Sequence, residues 1–284
     1  MNKPKVSVAM ITYGHENYIE EAINGVLMQE CDFDVELIIV NDYSPDNTER
    51  IVLEILKNHP NSSWIKYIKH KKNLGMMPNF IFALNECQGK YIALCEGDDY
   101  WTYPLKLQKQ VDFLNNNPEY VICGTRIKVN IKGTFSEDKS QQAENMVYCL
   151  EDVLYKNPFS TCSVVFRNNV PGNEYFDRFY TGDWPLYCYL MKKGKGCILN
   201  IVTAVYNFHG HGVASSLDLN SYLKNRLNDR FLLVKRNDKK YKWIIKKHGY
   251  RLLFYYTKNA LFLRLDYLKA LVKNKGSIVE FIKS

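Results

Sequence analysis

The chain has 284 residues, of which 46% are hydrophobic, 14% aromatic and 24% charged, with a net charge of +8. This composition supports one large domain, or one domain with an appendage, and excludes an intrinsically disordered chain. No apolar run approaches the roughly 18 residues that a transmembrane helix needs. Eight cysteines without a C-x-x-C pair exclude a secreted disulfide scaffold or a zinc ribbon and indicate reduced, mostly buried thiols of a cytosolic protein.

Strands and helices alternate over the first 116 residues. Hydrophobic patterns predict strands at 6–11, 35–40, 64–69 and 91–95 and helices at 16–29, 46–58, 78–88 and 104–116. A capping box, Asp46-Asn-Thr-Glu49, is predicted to open the second helix. The run at 6–11 resembles a signal peptide only faintly, because it is short and no small-residue cleavage site follows. The alternation predicts an α/β fold with a mostly parallel, doubly wound sheet.

The pattern is looser beyond Pro118, where strands are predicted at 120–124, 162–167 and 197–208 and a helix at 183–193. After Ser216 the chain is predicted to be helical, with breaks at Asn237-Asp238 and His248-Gly249. No linker rich in Pro, Gly or Ser precedes this segment, so we expect it to pack on the body. The expected organisation is a sheet domain, 1–215, and a basic helical C-terminal segment, 216–284.

The positive charge is concentrated in the C-terminal segment. Residues 216–284 hold 17 Lys+Arg and 5 Asp+Glu, a net charge of +12, which leaves −4 for residues 1–215. A basic segment rich in aromatic residues suits anionic lipid headgroups or nucleic acid, although a solvated helical face has the same composition.

Three polar clusters follow predicted strands at their carboxyl ends, where open α/β sheets bind ligands. They are Thr12-Tyr13, Asn41-Asp-Tyr-Ser44 and Glu96-Gly-Asp-Asp99. Turns attract Asp, Asn and Gly for backbone reasons, but the common position at one edge favours a binding site. The carboxylates of the third cluster repel one another, and a cation would stabilise them. Their oxygens suit Mg²⁺ or Mn²⁺ completed by a phosphorylated substrate.

Motifs of several other enzyme classes do not occur in the sequence. There is no G-x-x-x-x-G-K-[ST], no G-x-G-x-x-G after the first strand, and no H-E-x-x-H or G-x-S-x-G. These absences argue against P-loop NTPases, nicotinamide-dependent dehydrogenases, zinc proteases and α/β-hydrolases.

Six segments in chain order carry a family resemblance. They are Val6-Ser-Val-Ala-Met-Ile-Thr-Tyr13, Val40-Asn-Asp-Tyr-Ser-Pro-Asp-Asn-Thr48, Asn73-Leu-Gly75 with Asn79, Glu96-Gly-Asp-Asp-Tyr-Trp101, Thr181-Gly-Asp-Trp184 and Tyr206-Asn-Phe-His209. Through them the chain resembles a family 2 inverting glycosyltransferase of the bacterial surface-polysaccharide type, over about residues 5–215. The resemblance implies a Rossmann-like GT-A fold in which 1–215 is the nucleotide-sugar-binding and catalytic domain.

The resemblance also implies roles for the matching residues. The implied donor-binding residues are Thr12, Tyr13, Asp42, Ser44, Asn79, Glu96, Gly97 and Asp98. Among these, Asp42 would accept a hydrogen bond from a uracil N–H, Glu96 would bond the ribose, and Asp98 would bind the metal that bridges the diphosphate. Asp183 would be the general base that deprotonates the acceptor hydroxyl. It could instead be merely a helix N-cap, although the two roles do not exclude each other.

Several further side chains keep two interpretations. His209 and His211 flank Gly210 at the end of the last strand. Imidazole suits Mn²⁺, so one of them could complete the metal site or contact phosphate, or be only a hydrogen-bonded structural histidine. His209 is the preferred candidate for the second metal ligand, ahead of His211. Trp101 and Trp184 could wall the sugar pockets or pack in the core. Thr161 and Ser163 are candidate acceptor contacts.

Five positions depart from the pattern of the family. Glu96 replaces Asp, Met77-Pro78 replaces an Ala-Arg pair, Gly182 replaces an acid and Asn207 replaces Arg. One cation expected beside the phosphates is therefore absent.

The function expected from these observations is a metal-dependent inverting glycosyltransferase, with Mn²⁺ or Mg²⁺ as cofactor. It would move a sugar from a nucleotide-sugar to a glycan or lipid-linked glycan acceptor in lipopolysaccharide or capsule synthesis. A UDP-sugar is the first candidate for the donor. We expect a cytoplasmic protein whose basic segment docks on the anionic inner leaflet. The alternatives are a nucleotidyltransferase, which lacks its usual phosphate loop here, and a non-catalytic binding module. The acidic clusters argue against nucleic acid as a partner.

Overall fold

The structure is a computed structural model that describes residues 4–137, 144–210, 212, 219–244 and 247. One ten-stranded sheet forms its centre. The strands are β1 (Val6–Thr12), β2 (Val35–Asn41), β3 (Ile65–Lys69), β4 (Tyr91–Leu94), β5 (Tyr100–Trp101), β6 (Tyr120–Ile131), β7 (Thr134–Glu137), β8 (Met146–Tyr148), β9 (Val165–Arg167) and β10 (Lys195–Phe208). The α-helices of the described ranges are α1 (Ile19–Leu27), α2 (Thr48–Asn58), α3 (Met76–Glu86), α4 (Lys106–Asn116), α5 (Leu150–Tyr155), α6 (Asp183–Leu190) and α7 (Leu219–Arg236).

The sheet is mostly parallel. Its order is β3-β2-β1-β4-β9-β6-β10-β5, with β7 on β6 and β8 on β10. The strands β1, β2, β3, β4, β6 and β10 run in one direction, and β5, β7, β8 and β9 run against them. This confirms the predicted GT-A type of α/β sheet, with β9 inserted antiparallel between β4 and β6.

Helices cover both faces of the sheet, as a doubly wound fold requires. Apolar residues of α1, α2 and α4 form the core on one face, and those of α3, α5, α6 and α7 form the core on the other. Every residue of β4 is buried, which explains its short, uninterrupted apolar sequence. All eight cysteines are free thiols and six of them are buried, as predicted.

The predicted capping box of α2 is wrong. Asp46 accepts hydrogen bonds from the Thr48 N–H (3.1 Å) and hydroxyl (2.6 Å), so it does hold the start of the helix. The Glu49 carboxylate, however, pairs with Lys69 on β3 instead of returning to the N-terminus. Glu49 therefore forms an ion pair with Lys69 and does not cap the start of α2, as the local sequence pattern predicts it to do.

The looser second half differs more from its predicted elements. The strand predicted at 120–124 continues to Ile131, and the one at 162–167 splits into a 3₁₀ turn (Thr161–Ser163) and β9. The helix predicted at 183–193 ends at Leu190. Long β6 is stabilised by its parallel pairing with β10, a contact between distant segments that local periodicity does not reveal.

The first helix of the C-terminal segment packs on the body. α7 ends at Arg236, next to the predicted break, and buries Leu232, Leu233 and Val234 in the core cluster that contains α6. The boundary between 1–215 and 216–284 remains a prediction, while His211, the break at His248-Gly249 and most of the chain beyond 244 lie outside the described residues. Within the described residues, no helix combines the length and the apolar character needed to cross a membrane.

Candidate active site

The carboxyl ends of the parallel strands bring the predicted site residues to one edge of the sheet. Thr12, the last residue of β1, lies beside Asn41, the last residue of β2, and the Asp42 N–H donates to the Thr12 carbonyl (2.9 Å). The loop Glu96–Asp99, here called the acidic loop, follows β4, and His209 follows β10. The three polar clusters and His209 therefore share one rim, as the sequence predicted.

Gly97 allows the acidic loop to lie directly against β1. Its N–H donates to the Ile11 carbonyl (2.9 Å). A Cβ at position 97 would lie 2.8 Å from the Thr12 Cβ and hydroxyl, closer than carbon atoms can approach. The glycine is thus required by packing, and it sets the distance between the loop and the end of β1.

Two histidines face Asp98 in the acidic loop. The Asp98 Oδ2 lies 3.1 Å from the His209 Nε2 and 3.7 Å from the His15 Nε2. Burial alone would raise the pKa of Asp98, but the His209 hydrogen bond and the two imidazole charges together lower it. Burial lowers the pKa of His15, against the opposing charge of Asp98. The pKa of Asp98 is therefore lowered by the two imidazoles that flank it.

Sequence reasoning missed His15. It lies in the turn between β1 and α1, and its Nδ1 is 3.2 Å from the Thr12 hydroxyl. The ring of His209 stacks on Tyr18 with 4.8 Å between ring centroids. The sequence signal for His15 was weak: it is a polar residue three positions after the end of β1.

The pKa values of the other two acids of the loop, Glu96 and Asp99, are raised. Burial is the largest cause for both Glu96 and Asp99, followed by the charge of Asp98. Ligand oxygens of Glu96, Asp98 and Asp99 lie within 4.8 Å of one another. Asn207 fixes the loop by donating its N–H to Asp99 (2.9 Å) and its side-chain amide to the Asp98 carbonyl (2.7 Å). The asparagine found in place of the common arginine thus anchors the acids.

This donor set fits a divalent cation. It combines a charged carboxylate, an imidazole and two further carboxyl groups whose raised pKa values would fall beside a positive charge. Such mixed oxygen and nitrogen ligands suit Mn²⁺ as well as Mg²⁺. The assignment of Asp98 and His209 as the metal ligands remains a prediction.

Asp42 and Asn79 lie beneath the rim, each 2% exposed. The two Asp42 carboxylate oxygens accept from the N–H groups of Leu74 (2.7 Å) and Gly75 (2.9 Å). Asn79 donates to the Val40 carbonyl and contacts His70. Asp42 thus fixes the loop before α3, and its contact with a nucleotide base remains a prediction.

Two exposed tyrosines line the same part of the rim. Tyr13 is 47% and Tyr43 is 51% exposed, and Tyr43 has a φ of +63°, which turns the chain after β2. Ser44 links the two loops, since its hydroxyl accepts from the Gly14 N–H (3.0 Å). Exposed aromatic faces held at fixed positions are suited to stacking on a nucleotide base.

Asp183 is the first residue of α6, and Gly182 is the N-cap, so the alternative that made Asp183 an N-cap does not hold. Its Oδ2 accepts from the Asn157 amide (3.0 Å). Burial raises the pKa of Asp183, opposed by the Trp184 N–H and the charge of Arg226. After burial and the charges of Asp98 and Asp99, the charge of Asp183 also raises the pKa of Glu96, which indicates that the two carboxyl groups lie near each other.

Both candidate tryptophans belong to the core. Trp101 and Trp184 are each 2% exposed, and their ring N–H groups donate to the carbonyls of Cys162 (2.8 Å) and Val153 (2.6 Å). The suggestion that they wall the sugar pockets is therefore wrong. Ser163 is also fully buried, whereas Thr161 is partly exposed.

Comparison with known proteins identifies the family. The model of glycosyl transferase family 2 matches residues 7–180. A protein of Mycobacterium tuberculosis is 35% identical over 214 residues, which cover 73% of this chain and 60% of that protein. A glycosyltransferase of Haemophilus influenzae is 26% identical over 84% of this chain and 74% of its own length. The chain thus spans less than two thirds of the length of the mycobacterial relative.

Solved structures share the fold. TarS of S. aureus, in a crystal structure with UDP-GlcNAc, superposes with a TM-score of 0.70 at 18% identity, covering 98% of this chain and 81% of TarS. The mannosyltransferase PcManGT of Pyrobaculum calidifontis, in complex with GDP-Man and Mn²⁺, gives a TM-score of 0.51 at 15% identity, over 99% and 84% of the two chains. The family match favours a glycosyltransferase over a nucleotidyltransferase or a non-catalytic module. The chain belongs to glycosyl transferase family 2.

Proposed function

We propose that the protein is a metal-dependent, inverting glycosyltransferase that uses a nucleotide-sugar, with a UDP-sugar as the first candidate. The observation that carries the proposal is the arrangement of Asp98 between His209 and His15 at the carboxyl ends of the parallel strands. The charge of Asp183 acts on Glu96 of the same loop. The donor class is supported by the relatives of known structure, since TarS binds UDP-GlcNAc and PcManGT binds GDP-Man. Thr12, Tyr13, Asp42 and Ser44 surround the proposed base site.

The acidic loop would hold the diphosphate of the donor through a cation. Asp98 and His209 would bind Mn²⁺ or Mg²⁺, and Glu96 would bond the ribose. When bound, such an ion neutralises charge that develops on the leaving diphosphate. Gly97 and Asn207 would keep the loop at its distance from β1 and thereby fix the position of the diphosphate.

Asp183 would act on the acceptor. Its carboxylate takes the proton of the acceptor hydroxyl while that oxygen attacks the anomeric carbon of the donor sugar. The bond between that carbon and the phosphate oxygen breaks, and its electron pair leaves with the nucleoside diphosphate. A single displacement from the opposite face inverts the anomeric centre, so one base suffices. The raised pKa of Asp183 suits a proton acceptor.

Calorimetry tests the donor site without an acceptor. We would titrate UDP, GDP, dTDP and CDP, with and without Mn²⁺, into the native chain and Asp98→Ala. The expected result is Mn²⁺-dependent binding of one nucleotide that Asp98→Ala loses. Asp112→Ala, which removes an exposed carboxylate on α4, is the matched control and should bind like the native chain. Equal binding by Asp98→Ala, or no nucleotide binding at all, would contradict the proposal.

We further propose a lipid-linked glycan acceptor of lipopolysaccharide or capsule synthesis, met at the cytoplasmic face of the membrane. The support is the basic C-terminal segment. Within α7, Arg230 lies 4.7 Å over the Trp184 ring, and Arg236 donates to the carbonyls of residues 174, 175 and 177. These two cations therefore bind to the sheet domain. Residues 245–284 carry nine Lys+Arg and two Asp+Glu, and are the better candidates for lipid contact.

Vesicle binding tests this second proposal. A chain that ends after Ile244 keeps α7 and should bind anionic vesicles far less than the full chain, at roughly 1 kcal/mol per lost cation. Binding by the full chain should fall steeply with salt and be absent with zwitterionic vesicles. Equal binding of the shortened chain, or salt-insensitive binding, would contradict the electrostatic account.

A further inference from the structure

The segment that leads into Asp183 owes its shape to α7. Residues 173–182 contain only one 3₁₀ turn, Asn173–Phe176, and Arg178 has a φ of +71°, a conformation that L residues rarely adopt. Its turn hydrogen bonds end with the Phe179 N–H, which donates to the Phe176 carbonyl (3.1 Å), so the N–H groups of Tyr180 and Thr181 need partners from elsewhere. α7 lies along this segment and supplies them.

Asp229 of α7 makes three of these contacts. Its Oδ1 accepts from the Tyr180 N–H (2.7 Å), and its Oδ2 accepts from the Thr181 N–H (3.0 Å) and hydroxyl (2.8 Å). The Asp229 side chain is fully buried, so no water competes for these donors. One carboxylate therefore binds two consecutive residues just ahead of Asp183, through charge-assisted hydrogen bonds.

Neighbouring residues of α7 extend the contact on both sides. The Asn228 amide donates to the carbonyl of Arg178 (2.8 Å), and Arg236 donates to that of Asp177 (3.1 Å). Beyond Asp183, Arg230 and Arg226 lie over the Trp184 ring at 4.7 and 5.9 Å. The proposed base is thus enclosed between two groups of contacts from the same helix.

We propose that Asp229 is a positioning residue for the proposed general base, and that α7 is a structural part of the acceptor side of the active site. The inference rests on the proposed function for the role of Asp183. Asp229 itself touches neither donor nor acceptor. It sets the path of Tyr180 and Thr181, which decides where α6 begins and where its first side chain points. The basic segment therefore contributes to catalysis through its first helix.

The experiment compares Asp229→Asn with Asp238→Asn in the full chain. Asp238 is an exposed carboxylate of the same segment and provides the matched control. A second pair, Thr181→Val and Thr181→Ser, removes or keeps the hydroxyl that bonds Asp229. Each variant is measured by amide hydrogen exchange of residues 178–184, by calorimetric affinity for UDP with Mn²⁺, and by UDP release from UDP-N-acetylglucosamine.

Asp229→Asn is expected to expose the Tyr180 and Thr181 amides to exchange and to lower kcat by about 10- to 100-fold, the cost of a small misplacement of a reacting group. UDP affinity and the KM for the donor should stay within about twofold, and Thr181→Ser should recover the activity that Thr181→Val loses. Unchanged exchange or unchanged kcat in Asp229→Asn would overturn the inference. Parallel loss of UDP affinity would overturn it too, since it would indicate general unfolding.

Failure of the proposed function gives a different result. If the native chain neither binds UDP nor releases it from the sugar nucleotide, the assignment of the donor fails. The exchange measurement still decides whether Asp229 fixes residues 178–184, because it needs no substrate. The two conclusions are therefore separable.

Discussion

The two sides of the proposed crevice are built in different ways. The donor side places its polar residues directly after the parallel strands β1, β2, β4 and β10, where the ends of the strands fix them. The acceptor side gathers Asn157, Asp183, Arg226 and Asp229 from segments far apart in the sequence. The first side depends on sheet register, and the second depends on contacts between separate elements. Substitutions should therefore separate donor binding from transfer.

Asp183→Asn should give the largest effect and the clearest separation. Removal of the general base is expected to lower kcat by about 10²- to 10⁴-fold, because the amide cannot take the acceptor proton. UDP affinity, a property of the donor side, should not change. Rates of UDP release and calorimetry measure the two quantities, and Asp177→Asn, an exposed acid of the preceding segment, is the control. A loss of UDP affinity in Asp183→Asn would contradict the division into two sides.

His209→Ala should mainly affect the donor side. We expect Mn²⁺-dependent UDP affinity to fall by about 10- to 100-fold, as is common when a metal site loses a supporting group. His15→Ala should lose less than about tenfold, because its ring lies 3.7 Å from Asp98 rather than 3.1 Å. Titration of Mn²⁺ at fixed UDP measures both variants. A larger loss for His15→Ala would exchange the roles of the two histidines.

The pH dependence of turnover should report the acceptor side. Burial raises the pKa of Asp183, and only the deprotonated form accepts a proton, so kcat should fall on the acidic side at a higher pH than for an exposed aspartate. The charge of Arg226 lowers this pKa, so Arg226→Gln should move the acidic limb to still higher pH. Lys224→Gln, on the exposed face of α7, should leave the profile in place. A shift to lower pH in Arg226→Gln would contradict the assignment.

The smallest expected effect is the change in stability on substitution of Lys106, a residue of α4. Its fully buried amine donates to Gln110 and to the Ser163 carbonyl (3.1 Å), and burial lowers its pKa from 10.5 to about 8. The unfolded chain binds this proton more tightly, so the contribution of Lys106 to stability should grow as the pH rises from about 8 towards 10.5. Urea unfolding of the native chain and Lys106→Met should therefore diverge in that range. If the free energies of unfolding of the two proteins changed in parallel with pH, the lowered pKa of Lys106 would be contradicted.

The donor side could be predicted from the sequence because its signals are local. Uninterrupted apolar strands place Thr12, Asp42 and Asp98 at one edge, since parallel strands end together. His15 escaped notice because a single polar residue in a turn carries no periodic signal. Its pairing with Asp98 exists only once the sheet brings β1 and β4 together.

The acceptor side could be predicted only in part. Asp183 was found through its motif, but Asp229 lies in a segment whose sequence reads as a basic surface. Its burial follows from the packing of α7 on α6, a contact between elements rather than a property of either. For the same reason, Trp101 and Trp184 were suggested as pocket walls although both are buried.

The contact between Gly182 and Phe80 has a consequence for sequence variation. A Cβ at position 182 would lie 2.4 Å from the Phe80 ring, which is itself buried against Phe176. An acid at position 182, as the family pattern prefers, could therefore be introduced only together with a smaller residue at position 80. The two positions should vary as a pair among relatives, and the double substitution Phe80→Ala with Gly182→Glu should be tolerated better than Gly182→Glu alone. The large ring of Phe80 would then explain why position 182 is a glycine in this chain.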